Sequence, residues 1–107
     1  EFYTQQYLKA KQFQIIHTNY RGIFAEIDLI CTHRQTLYFI EVKFRSHENF
    51  QDTLEPYLKS QYAKLLKEIH CFRRQNPNYK TQQIQIEIFL YSQQPEKKLK
   101  LRCFKLS

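Results

Sequence analysis

Glycine is nearly missing: the 107 residues contain one, Gly22, beside three prolines. That scarcity excludes a collagen-like segment, a flexible linker and a glycine-rich phosphate loop, so any phosphate must be met by side chains or helix ends. Cysteine is sparse and odd in number. Cys31, Cys71 and Cys103 are widely spaced, with no CxxC pair and no histidine at zinc-finger spacing, which argues against a disulfide scaffold and for a reducing compartment, with Cys31 and Cys71 as small buried residues. No apolar run reaches 18 residues and no basic-then-apolar segment opens the chain, so the expectation is a soluble cytoplasmic protein with no membrane partner. The chain opens on Glu1 and not on methionine, which leaves room for native residues ahead of it.

What is present describes one folded domain, residues 1–107. Hydrophobic residues make up 42% and aromatics 16%, enough for a core without metal or disulfide staples. Lysine and arginine number 17 against 10 acids, a formal charge of +7, and that excess favours a polyanionic partner through steering and counterion release.

Hydrophobic spacing divides the chain into elements. Residues 1–11 read as a helix, and Phe13, Ile15 and Ile16 open a strand that closes at a turn marked by Arg21 and Gly22. From Phe24 to Cys31 the run FAEIDLIC alternates, with Ala25, Ile27, Leu29 and Cys31 on one face and Glu26, Asp28 and Ile30 on the other. From Thr36 to Phe44 the run TLYFIEVKF places Leu37, Phe39, Glu41 and Lys43 on one face. A hairpin centred near Arg34 and Gln35 would set Ile30 opposite Phe39, Asp28 opposite Glu41 and Glu26 opposite Lys43. Residues 45–53 read as a polar loop. Leu54, Leu58, Tyr62, Leu65, Ile69 and Phe72 then form the seam of an amphipathic helix that stops at Asn76, Pro77 and Asn78. Ile84, Ile86 and Ile88 alternate in a further strand, and KLKLRCFKL makes a last one. The order is that of an α/β fold with a mixed sheet between helices.

Two carboxylates facing each other across a ladder cost about 0.2 to 1 kcal/mol. A pair fixed about 5 Å apart at Cβ also suits a hard divalent cation, which completes its shell with water and substrate phosphate. Lys43, two residues after Glu41, points to the same side. Acid, acid and lysine are the minimum for metal-assisted phosphodiester hydrolysis: the acids hold magnesium or manganese, and the lysine orients water or meets developing charge. The competing reading is a solvent-facing strand surface with ordinary ion pairs among Glu26, Asp28 and Lys43.

A strand Asp followed a dozen residues later by Glu-x-Lys resembles the motif of the PD-(D/E)XK nuclease superfamily. NYRGIFAEIDLI followed by TLYFIEVKFRS is closer still to the YraN-like family, regarded as predicted endonucleases related to Holliday junction resolvases. The match runs from Glu1 to Arg45 through Tyr7, Leu8, Asn19, Arg21, Glu26 to Ile30, and Glu41-Val42-Lys43. The resemblance implies a restriction-endonuclease-like αβββαβ core with one extra C-terminal strand. It further implies that Asp28 and Glu41 bind Mg2+ or Mn2+, that Lys43 assists the attacking water, and that Glu1 is an additional helix acid of the same catalytic site. The implied activity is cleavage of DNA, branched DNA included, and a homodimer is an implied state. Arg21, Arg45, Lys59 and Lys64 are candidate phosphate contacts, three of them bordering the site or its loop, and His47 in that loop is the histidine best placed for a metal or general-base role. In the second half the chain departs from the family: a lysine expected on the long helix falls at Gln61, and Arg-Phe-Asp reads Gln85-Ile86-Glu87. A changed supporting shell suits either an active, divergent nuclease or a non-catalytic nucleic-acid-binding or scaffolding protein on the same fold.

Overall fold

A buried aromatic ring, Phe72, and the sheet residues it covers show how this sequence closes its core. The computed structural model describes the backbone of residues 2–45, 51–93 and 99–105 and the side chains of 2–44 and 60–91. Helix α1 (Phe2–Ala10) precedes strands β1 (Gln14–Arg21), β2 (Glu26–His33) and β3 (Thr36–Arg45), the long helix α2 (Gln51–Gln75), a 3-10 turn at Pro77–Tyr79, and strands β4 (Gln83–Gln93) and β5 (Leu99–Lys105). The sheet order is β1-β2-β3-β4-β5. Neighbours are antiparallel except β3 and β4, which α2 joins as a parallel crossover. The first four strands with the two helices form a restriction-endonuclease-like core, and β5 is the extra C-terminal strand.

Each sheet face has its own core, as two-sided burial requires. On the α2 face, Ile30, Leu37, Phe39 and Ile86 pack under Ile69 and Phe72. On the α1 face, Leu29, Cys31, Ile40 and Phe89 pack under Leu8. The expected seam of α2 holds for Tyr62, Leu65, Ile69 and Phe72, while the side chains of Leu54 and Leu58 lie outside the described residues; the C-terminus of α1 is closed by a left-handed residue, Gln12 (φ 68), with Phe13 N–H bonded to the Leu8 carbonyl at 2.9 Å. The β2–β3 turn does centre on Arg34 and Gln35. Both have positive φ, 50 and 64, which matches the strand twist in a two-residue hairpin turn.

Three expectations are corrected. The second strand begins at Glu26, because Gly22, Ile23, Phe24 and Ala25 form a tight turn in which the Gly22 N–H bonds the Ala25 carbonyl at 3.0 Å. The polar segment 45–53 is shorter than its composition suggests: Arg45 ends β3, and α2 starts at Gln51. Its remainder, 46–50 with His47, lies outside the described residues. Third, Ile27 packs with Ile30 on the α2 face, whereas Leu29 stays on the α1 face. The simple alternation breaks at Asp28, where neighbouring β1 bends too: Asn19, between the paired Thr18 and Tyr20, has φ 52, a conformation asparagine tolerates better than most residues.

Burial also sets the cysteine chemistry. Cys31 is fully buried and Cys71 half-buried, so the expectation of two buried thiols holds for the first alone. Desolvation, followed by the charge of Glu87, pushes the Cys31 thiol from its ordinary 9.0 up to about 12. Because the folded value lies above the unfolded one, this group's contribution to stability is fully present below about pH 9 and is lost as the pH rises through about 12. Iodoacetamide at pH 8 is expected to label Cys71 in the native protein and Cys31 only after denaturation, as read by peptide mass spectrometry; native labelling of Cys31 at the Cys71 rate would contradict its burial.

Candidate active site

The hairpin carrying the two acids opens where they sit. The β2–β3 register follows the expected pairing from His33–Thr36 through Ile30–Phe39 to Leu29–Ile40. The expected Asp28–Glu41 and Glu26–Lys43 pairs are not part of it. Instead, Asp28 Oδ2 accepts the Val42 N–H at 2.8 Å, so a side chain takes the donor that a continued ladder would have used, and the like charges avoid facing each other directly. Glu26 pairs with β1, opposite Arg21, and the two exposed side chains approach to 4.0 Å.

Glu41 and Lys43 come together on the α2 face. Lys43 Nζ lies 3.0 Å from Glu41 Oε1, with 23% and 27% of the two side chains exposed. That partial burial keeps the pair less screened than a surface ion pair while leaving it open to a substrate. Below α2, Glu26, Glu41, Ile27, Phe39, Leu65 and Ile88 line a cavity of about 20 Å³, room for one water molecule or ion.

The donor set fits a hard divalent cation in a limited way. Among the described residues no three His, Cys, Asp or Glu side chains gather as a metal cluster, which disfavours a site closed by protein ligands alone. Two carboxylates, each oriented by a partner on β3, match the sparse protein contribution that magnesium uses when water and phosphate complete its shell. Asp28 and Glu41 are the residues that could hold it. Glu1, implied as a further acid, lies outside the described residues, as do the side chains of Arg45 and Lys59. Lys64 is exposed on α2 and Arg21 is exposed at the end of β1.

The shell residues fall elsewhere. Gln85 and Glu87 are bonded to each other at 2.7 Å, and the Glu87 charge acts on Cys31 and Tyr38, residues packed on or against the α1-side core. The altered Gln85-Ile86-Glu87 strand therefore places its two polar residues across the sheet from Glu41 and Lys43.

One structural residue of the site was not singled out from sequence. Glu68 is 2% exposed, and its Oε1 accepts the Phe24 N–H at 2.8 Å and the Ala25 N–H at 3.4 Å. Tyr20 hydrogen-bonds the same carboxylate, and burial first, then the Glu68 charge, raises the Tyr20 hydroxyl above its ordinary pKa. The carboxylate thereby pins the turn from which β2 starts, two residues before Asp28. It lies directly over the glycine: a Cβ at Gly22 would stand 1.8 Å from Glu68 Cδ. The Gly22 φ is not positive, so the backbone itself would accept alanine. Gly22→Ala is accordingly expected to destabilise by roughly 2 to 3 kcal/mol through displacement of Glu68 and loss of its bonds to the turn. In a Glu68→Ala background the same change should cost under about 0.5 kcal/mol; equal costs in both backgrounds, measured by urea unfolding, would refute the steric account.

The model of a family described as "Uncharacterised protein family UPF0102" matches residues 1–91. A UPF0102 protein of Francisella tularensis subsp. novicida is 30% identical over 84 residues, covering 78% of this chain and 72% of the relative. A UPF0102 protein of Helicobacter pylori is 38% identical over 74 residues, covering 68% and 62%, and one of a Sulfurihydrogenibium species is 34% identical over 71 residues, covering 66% and 62%.

Proposed function

The chain belongs to the UPF0102 family, the YraN family whose motifs it carries, and from that premise we propose that it is a magnesium- or manganese-dependent endonuclease that hydrolyses DNA phosphodiester bonds. The observation that carries this reading is the grouping of Asp28, Glu41 and Lys43 where the β2–β3 ladder opens, with Asp28 tied to Val42 and Lys43 tied to Glu41. The ladder bond at Val42 is replaced by one to the Asp28 carboxylate, between Glu41 and Lys43, which gathers charged groups beside the core, and such gatherings mark candidate sites.

Asp28 and Glu41 would hold the cation, with Glu1 as a third acid. When bound, a divalent cation supplies Lewis acidity and neutralises phosphate charge. Lys43 supplies the rest of the electrostatics: its ammonium, held beside Glu41, donates hydrogen bonds toward the phosphoryl oxygens as negative charge grows in the transition state. Val42 N–H keeps the Asp28 carboxylate turned toward β3 while this happens. Arg21, Lys64, Arg45 and Lys59 then serve as phosphate contacts that hold the strand in register without reading its sequence.

The test is incubation of the purified protein with labelled duplex, single-stranded and four-way-junction DNA in magnesium, manganese or EDTA. Cleavage of at least one substrate with metal and of none with EDTA is expected. Binding without cleavage under every condition would replace this reading with a non-catalytic nucleic-acid-binding protein.

A further inference from the structure

The outer surface of α2 carries charge that continues past Lys64, beyond the phosphate contacts of the candidate site. Between Ser60 and Gln75 the sequence has Lys64, Lys67, Arg73 and Arg74 and a single acid, Glu68, and that acid is turned into the core against the Gly22 turn. From Ser60 to Gln75 the exposed face of the helix is therefore cationic, with no exposed acid to offset it. Lys67 leans over the Phe24 ring, 5.8 Å from its centroid, beside the turn that leads into β2. From Lys64 to Arg74 the helix advances about 15 Å, at 1.5 Å per residue, away from the open end of the hairpin.

This line of cations ends in a groove. A cavity of about 490 Å³ lies between the last turns of α2, the 3-10 turn and the start of β4, within the size range of small-ligand sites. Its floor is apolar, with Leu66 (43% exposed), Pro77 and Ile84. Its rim is basic, with Arg73, Arg74 and Lys80. The carbonyl end of a helix carries a partial negative charge of roughly one half, against three full cations here. Arg73 spends one guanidinium nitrogen on that end of the structure, bonding the Lys80 and Gln82 carbonyls.

We propose that this groove binds a strand of nucleic acid, with phosphates on Arg74 and Lys80 and a sugar and base edge against Leu66, Pro77 and Ile84. Three observations select that occupant: the charge complementarity, the apolar floor inside a cationic rim, and the continuity of the cation line from the hairpin's open end. A polyanion with apolar faces along its length satisfies all three, and a nucleic-acid strand has that chemistry. The inference rests on the nucleic-acid half of the proposed function and not on cleavage. It gives the protein a second contact, remote from the reacting phosphate, that would hold a strand along α2.

The test measures fluorescence anisotropy of a labelled 20-nucleotide single strand with the wild-type protein, the Arg74→Ala/Lys80→Ala variant and Leu66→Ser. The double variant is expected to bind about tenfold more weakly and to lower the slope of log affinity against log salt by about 1.4, two phosphate contacts at about 0.7 each. Leu66→Ser should weaken binding of the normal strand about threefold and leave binding of a strand with abasic centre unchanged. Wild-type affinity within twofold in the double variant, failure of the wild type to bind the strand, or equal competition by polyglutamate would each overturn the groove. If cleavage persists while the groove variants bind as wild type, the groove fails and the endonuclease reading stands. If the wild type never cleaves and the groove variants still lose affinity, the endonuclease reading fails and the groove stands.

Discussion

Asp28→Asn is expected to lower metal-dependent cleavage by at least about 100-fold while leaving the melting temperature unchanged or slightly raised. The magnitude follows from what the substitution removes and what it keeps. Asparagine retains a side-chain oxygen at the position that accepts the Val42 N–H, so the open end of the hairpin keeps its geometry. It loses the negative charge a divalent cation needs, and losses of single electrostatic groups at such sites run to about 100- to 1,000-fold. Removing one of two neighbouring acids also relieves repulsion, so stability should not fall. Lys43→Ala provides the complementary case: cleavage should fall comparably, but Glu41 then loses the ammonium 3.0 Å away, and weaker inhibition by added competing phosphate would show that the lysine acts on the substrate. Cleavage at the wild-type rate in Asp28→Asn would remove this hairpin from consideration as the site.

Legibility from sequence depended on whether a residue's role was local or required a distant partner. Asp28, Glu41 and Lys43 were readable because period-two alternation assigns each to a strand face and the turn at Arg34 and Gln35 sets the register between them. The opening of the ladder beyond Leu29–Ile40 was not readable, since it depends on Asp28 competing for the Val42 N–H, a choice that alternation cannot express. Alternation also continued through Phe24 and Ala25, whereas the chain there is held as a turn by Glu68, 44 positions away from Phe24. A signal for Glu68 did exist: it falls three residues after Leu65 and four before Phe72, on the apolar seam itself, in a chain whose one glycine must permit some close approach. The start of α2 was placed too late for the opposite reason. Hydrophobic spacing registers a helix only where apolar residues begin, at Leu54, while the backbone is already helical at Gln51.

Phe72→Ala is expected to cost about 3 to 5 kcal/mol, a large part of the roughly 5 to 15 kcal/mol that stabilises a domain of this kind. Phe72 is fully buried, and its ring meets Phe39 and Tyr20 nearly edge-on at 5.7 and 5.6 Å, His17 at 5.9 Å and Tyr79 at 6.3 Å. Those rings belong to β1, β3 and the 3-10 turn, so truncation opens a cavity among three elements that cannot all collapse into it. Edge-to-face pairs add about 0.5 to 1.5 kcal/mol each beyond the area they bury. For a chain of this length the melting temperature should drop by about 12 to 20 °C. Leu66→Ala, on the same helix but 43% exposed, should stay within about 0.5 kcal/mol of wild type and serves as the control. Phe39 is two residues before Glu41 on β3, so the ring that anchors α2 also braces the strand carrying the acid and lysine. At temperatures where Phe72→Ala remains folded, its cleavage per folded molecule should fall far less than that of Asp28→Asn. A variant as stable as the Leu66→Ala control, measured by calorimetry, would show that Phe72 is not the residue on which the two layers close.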